Sequence, residues 1–105
     1  MAMTYTYFAG EEDSAVSYTY SPVIDVSTAT LTLTFQRDID DAAVAITIAN
    51  ASFDKTDGAT GVILWPFTAA NLATAGTYYG ELEAIIDADN TTKKAITLWI
   101  REAVT

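Results

Sequence analysis

Thr30-Leu31-Thr32-Leu33-Thr34-Phe35-Gln36 sets the fold class of this chain. Leu31, Leu33 and Phe35 alternate strictly with Thr30, Thr32 and Thr34. Successive side chains of a β-strand point to opposite faces, so the stretch reads as a half-buried strand, apolar inward and hydroxylated outward. The same period continues on either side. Residues 4–8, 14–20, 43–49, 77–86 and 94–101 alternate, and residues 23–27 and 62–65 are short apolar runs. The phase predicts Val16, Tyr18 and Tyr20 on one side, then Val44, Ile46 and Ile48 inward. Tyr78, Leu82, Ala84 and Ile86 oppose Tyr79, Glu81 and Glu83, and Ile96, Leu98 and Ile100 oppose Thr97, Trp99 and Arg101.

The breaks between the runs carry turn chemistry. Pro22 cannot donate to a ladder, and the loop from Asn50 to Gly61 holds Asp54, Asp57, Gly58 and Gly61. Thr68-Ala69-Ala70-Asn71-Leu72-Ala73 is the one helical signal, with a capping threonine and Gly76 beyond its end. The expected fold is all-β: an immunoglobulin-like antiparallel β-sandwich of seven to eight strands, with one short helical turn near residues 69–74. A small closed barrel is the alternative. Tyr78 falls where a tyrosine corner would place its ring, at the start of the sixth strand of such a sandwich. Residues 1–105 read as one domain, with 1–9 an N-terminal arm or an added edge strand.

Composition narrows the chemistry. Five Lys+Arg face fourteen Asp+Glu, for a net charge of −9. Nucleic acid and anionic membranes attract the opposite balance, so neither is an expected partner. No apolar run approaches the ~20 residues of a membrane helix, and the N-terminus lacks the pattern of a secretory signal. There is no cysteine and no histidine, which removes thiolate chemistry, the commonest general base and the commonest metal ligand. The only bases near a hydroxyl nucleophile would be Lys55, Lys93 and Lys94, at spacings that suggest nothing.

Glu81 and Glu83 lie two apart on one strand face, roughly 6.5–7 Å between Cα atoms, and glycosidase carboxyl pairs sit about 5–9.5 Å apart. Nearly any exposed strand offers that spacing, so a solvated sheet face is the expectation. Asp54-Lys55-Thr56-Asp57-Gly58 and Asp38-Ile39-Asp40-Asp41 are oxygen-rich loops without the acid spacing of a calcium loop. They read as turns. The expectation is therefore no enzyme, no cofactor and no metal.

Aromatic residues are more numerous than one small core needs. Tyr5, Tyr7, Tyr79 and Trp99, with Arg101, are the candidate interface residues, since Tyr, Trp and Arg are enriched where proteins meet. Three uses stay open for the aromatics: packing under the N-terminal arm, an interface between subunits, or a platform for sugars.

One resemblance adds to this. Gly10-Glu11-Glu12-Asp13, the alternating 16–20 and Ile24-Asp25-Val26-Ser27 resemble a Gly-Asp-rich opening that leads to an "(I/L)DLTG" step, with Val26 and Ser27 departing from it. Gly61-Val62-Ile63-Leu64, the turn at 68–73 and Ala75-Gly76-Thr77-Tyr78-Tyr79-Gly80-Glu81-Leu82 look like "G-x-V-x-L … T-x-x-L-x-x-G-x-Y-x-x-x-L". Over residues 10–104 the chain resembles the small immunoglobulin-like domain of tailed-phage and prophage proteins, similar to the N-terminal domain of baseplate upper proteins. The resemblance implies a structural role in the virion, at the tail, baseplate or capsid, assembled in the bacterial host cytoplasm. Its partners would be other virion subunits, including copies of itself. The alternative is an adhesion module that binds a carbohydrate or a surface.

Overall fold

The computed structural model describes residues 3–37 and 44–102. Among these residues seven strands follow one another: β1 Met3–Phe8, β2 Asp13–Thr19, β3 Thr30–Gln36, β4 Val44–Ile48, β5 Val62–Phe67, β6 Gly76–Asp87 and β7 Asn90–Arg101. They form two sheets, one of five strands in the order β1-β7-β6-β3-β4 and one of β2 and β5. The all-β sandwich expected from the alternation is what the chain builds.

The phase of each strand holds. Leu31, Leu33 and Phe35 are fully buried, as are Leu82, Ala84 and Leu98, with Ile96 and Ile100 nearly so. Val44 carries the predicted inward phase, but its side chain lies outside the described residues. In the five-stranded sheet the inward side chains line up in rows across the strands. One row runs Ile46, Phe35, Gly80, Ile96, Met3; the next runs Ile48, Leu33, Leu82, Lys94. The row through Phe35 explains Gly80. A Cβ there would lie 2.4 Å from the Phe35 ring and 3.1 Å from the Ile96 carbonyl oxygen, so the ring occupies the space a side chain would need.

Trp65, Phe67 and Ile63 of β5 face this sheet, with Tyr20 and Val16 from the β2 side. Phe67 meets Phe35 at 6.0 Å between ring centroids, and Trp65 meets Phe67 edge-on at 5.9 Å and Phe53 at 5.6 Å. Such ring pairs add about 0.5–1.5 kcal/mol each beyond their buried area.

Four details differ from the expectation. First, β1 runs parallel to β7, from Met3 opposite Ile96 to Phe8 opposite Arg101, so the larger sheet is mixed rather than antiparallel. The N-terminal strand is therefore already part of this chain's own sheet. Second, residues 23–26 are irregular rather than a strand and lead into a turn at 27–28. The Asp25 carboxylate accepts from the Ser27 N–H at 2.9 Å and the Ser27 hydroxyl at 2.6 Å, a local bond that competes with a ladder. Val26 alone of this run is fully buried, and its N–H donates to the Gly58 carbonyl. A Cβ on Gly58 would sit 2.7 Å from Ser27 Cα, so the two loops touch backbone to backbone.

Third, the loop 50–61 contains two short 3₁₀ turns, Asn50–Ser52 and Gly58–Thr60. Fourth, the helical turn is shorter than predicted. Residues 69–72 make a single turn, closed by Leu72 N–H to the Thr68 carbonyl at 3.2 Å and by Asn71 N–H to Thr68 Oγ1 at 3.1 Å. That turn leads into the tyrosine corner. The Tyr78 hydroxyl donates to the Thr74 carbonyl at 2.7 Å, four residues upstream.

Candidate interaction surface

The five-stranded sheet turns one face to β2 and β5 and the other outward. Threonine dominates the outer face because it combines β propensity with a hydroxyl that water can solvate. Thr6, Trp99 and Thr77 form one outward row; Thr4, Thr97, Tyr79 and Gln36 form the next. Trp99 and Tyr79 are thus diagonal neighbours on adjacent strands, roughly 7–8 Å apart at Cα. Both are exposed, at 47% each.

At the end of this face the Arg101 guanidinium lies 5.2 Å from the Phe8 ring centroid and 5.2 Å from that of Trp99. The cation is held between two rings, which fixes its planar fork in a way that water alone would not. Phe8 is exposed as well, at 38%. The sequence reading missed Phe8. Its phase was legible, since Thr4, Thr6 and Phe8 alternate outward against Tyr5 and Tyr7. A shallow depression of about 470 Å³ adjoins the group, lined by Thr77, Trp99, Arg101 and Glu102 among others.

The candidate residues therefore divide. Tyr79, Trp99 and Arg101 gather on one exposed patch, while Tyr5 and Tyr7 point the other way. The Tyr5 ring meets Trp65 edge-on at 5.9 Å and its hydroxyl donates to the Ser17 carbonyl at 2.6 Å. The Tyr7 ring meets Phe67 at 5.7 Å and its hydroxyl donates to Asp13 Oδ2 at 2.8 Å. These two tyrosines tie β1 to the smaller sheet and close that side of the sandwich. Burial pushes the Tyr5 phenol up to about 12, with help from Tyr18. Burial and then the Asp13 carboxylate push Tyr7 upward too.

Farther along the outer face, Lys93 Nζ lies 3.6 Å from Glu81 and 3.9 Å from Glu83. The pair of carboxylates sits on an open strand face and shares one lysine. In the oxygen-rich loop the Asp54 carboxylate accepts from the Thr56 N–H and hydroxyl, at 2.9 and 2.6 Å. Those bonds hold its pKa below the usual carboxylate range. The Lys55 ammonium donates to the Ala29 carbonyl and Asn50 Oδ1. Asp54 and Lys55 are thus engaged in shaping the turn. Among the described residues no three acidic side chains gather as metal ligands would. Asp38, Asp40 and Asp41 lie outside the described residues.

No family model matches the chain, and no curated protein matches it either. Its fold does recur among solved structures. One is a family 123 glycoside hydrolase from Clostridium perfringens, solved in a structural analysis of glycolipid glycan hydrolysis. The match has a TM-score of 0.52 at 13% sequence identity and covers 97% of this chain and 23% of that one. This chain thus spans about a quarter of the length of that hydrolase. The finding corrects the expectation that the chain is no enzyme. That expectation leaned on the missing His and Cys, yet glycoside hydrolysis commonly works with carboxylates alone, and this chain is rich in them. At this identity the likeness shows the shared fold, a sandwich that occurs within a hydrolase chain.

Proposed function

We propose that this chain is an assembly module of a tailed-phage or prophage particle that docks on neighbouring subunits, copies of itself included, through the outer face of its five-stranded sheet. The observation that carries the reading is the patch of Trp99, Tyr79, Phe8 and Arg101 at one end of a face that is otherwise rich in threonine and charged side chains. Large rings and an arginine held rigid before binding lose little entropy when a partner covers them, and such residues anchor interfaces. The resemblance to phage tail domains supplies the setting.

The test combines molar mass by light scattering with antibody labelling of particles. The wild-type chain should self-associate or decorate virions, and a Trp99→Ser/Tyr79→Ser double variant should do neither while keeping its β-sheet circular dichroism. A wild-type chain that stays monomeric and labels no particle counts against the proposal.

A second reading is glycan binding at the same patch. It draws on the exposed Trp99 and Tyr79 rings, on which sugars can stack, and on the similar fold within a hydrolase of glycolipid glycans. Tryptophan fluorescence during titration with glycans discriminates. A saturable change that Trp99→Ala abolishes favours this reading over the first.

A further inference from the structure

The outer face of the five-stranded sheet carries charge at two separate places. Among its described outward positions, from the row of Thr91, Ile85 and Thr30 to the end of β7, four side chains are charged. Arg101 stands at one end, and Glu81, Glu83 and Lys93 lie farther along. Two acids balance two bases here, whereas the whole chain holds fourteen acids against five bases. Two copies of an acidic molecule meet with least repulsion through such a face.

The two places are complementary. Lys93 Nζ lies 3.6 Å from Glu81 and 3.9 Å from Glu83, so one cation serves two carboxylates and a negative charge is left over. The Arg101 guanidinium sits between the Phe8 and Trp99 rings, and among the described residues it has no acidic partner. A positive charge is left over at that end. Glu81 pairs with Ala95, six residues before Arg101 on β7 and about 20 Å away along the strand. No arginine side chain spans that distance within one copy.

A second copy removes the distance. Two sheets packed face to face lie about 10 Å apart, and a two-fold axis makes every contact twice. An axis that crosses β7 between Thr97 and Trp99 lays β7 antiparallel on β7 of the second copy. Arg101 then lies over Ala95, the smallest outward side chain of β7, and beside Glu81. Trp99 lies over Thr97, next to Tyr79. The other two-fold, parallel to the strands, sets Arg101 near Arg101 and Glu81 near Glu81, which like charges oppose.

We infer that two copies of this chain pair face to face about an axis across β7, with Arg101 of each bridged to Glu81 of the other. The inference rests on the reading of the outer face as a docking surface and adds to it the partner and its geometry.

Sedimentation equilibrium of the full chain with charge-reversed variants tests it. Arg101→Glu places two acids together at each bridge, and Glu81→Arg places two bases together. Either variant alone should self-associate at least tenfold more weakly than wild type. Mixed in equal amounts, the two single variants should form a heterodimer, because one charge-reversed and one native bridge then form. The double variant Arg101→Glu/Glu81→Arg should recover the homodimer. Circular dichroism of each variant verifies the fold. A mixture that stays monomeric, or single variants that associate like wild type while Trp99→Ser does not, overturns the pairing and leaves the outer-face reading standing. So does a wild-type chain that is monomeric yet labels particles. A wild-type chain that neither associates nor labels particles removes both.

Discussion

The two halves of β7 present unlike surfaces. Residues 96–101 have their edge closed by β1, with Met3 through Phe8 in register against Ile96 through Arg101. Their backbone is satisfied, and what they offer outward is side chains: Trp99, and Arg101 stacked on it and on Phe8. Residues 90–95 pair with β6, and on their outer face Lys93 bridges Glu81 and Glu83. One strand thus presents an aromatic surface at one end and a charged one at the other. The boundary falls at Ile96, which faces Gly80 on β6 and Met3 on β1.

The harshest way to break the comparison is at that boundary. Gly80→Val places a branched side chain where a lone Cβ already meets the Phe35 ring at 2.4 Å. Overpacking of this kind costs roughly 3 kcal/mol. Chemical denaturation should show that loss, and hydrogen exchange should rise in β6 and in both halves of β7 alike. A stability within about 0.5 kcal/mol of wild type, the range of a neutral surface change, would mean that Phe35 has room to move.

Tyr5→Ala removes part of what holds β1 against the smaller sheet, the ring contact with Trp65 and the bond to the Ser17 carbonyl. About 2 kcal/mol should go, less than for a fully buried ring because Tyr5 is only half-buried. Exchange protection should fall selectively in residues 96–101 and leave residues 90–95 unchanged. Alkali probes the same seam. Tyr5 and Tyr20 are raised from 10.0 to about 12, so their stabilising effect is complete below pH 10 and is lost as pH climbs towards 12. Unfolding followed by circular dichroism should track tyrosinate absorbance across that window.

Tyr78→Phe is milder. It deletes the 2.7 Å bond to the Thr74 carbonyl and keeps the ring, for a loss of about 1 kcal/mol by denaturation. Its effect should stay near the start of β6 and leave both halves of β7 unchanged.

How far the sequence foretold these features depends on the range of the interaction that fixes each one. Burial phase is local, and the alternation of 30–36, 77–86 and 94–101 placed their inward and outward residues correctly. The corner at Tyr78 was legible because a turn signal and a strand start lie within a few residues of each other. The split into five strands and two was not legible, nor was the parallel pairing of β1 with β7, because each depends on contacts between distant segments. Residues 23–27 misled because their apolar content suits a strand while the Asp25 side chain bonds to Ser27. On the surface, Tyr79, Trp99 and Arg101 were found from phase alone. Tyr5 and Tyr7 look the same in sequence, and only the position of Trp65 and Phe67 across the sandwich shows that their rings turn inward. Lys94 carried a signal that went unused, a charge in the inward phase of an otherwise apolar series.

The finest test of the comparison is Trp99→Ala. If residues 96–101 exist to present side chains, the fold should scarcely notice the loss of one of them. Trp99 is 47% exposed, its backbone pairs with Thr6 and Thr77, and neither pairing requires the indole. The stacking with Arg101 is worth about 0.5–1 kcal/mol at an exposed site, and Phe8 keeps hold of the guanidinium from its other side. The net change in stability should therefore stay within about 0.5 kcal/mol, measured by chemical denaturation of a dilute, monomeric sample. Association through the outer face should fall sharply in the same variant. Stability falling by several times that amount would place Trp99 among the residues that hold β1, β6 and β7 together, and the two halves of the strand would then differ in packing rather than in purpose.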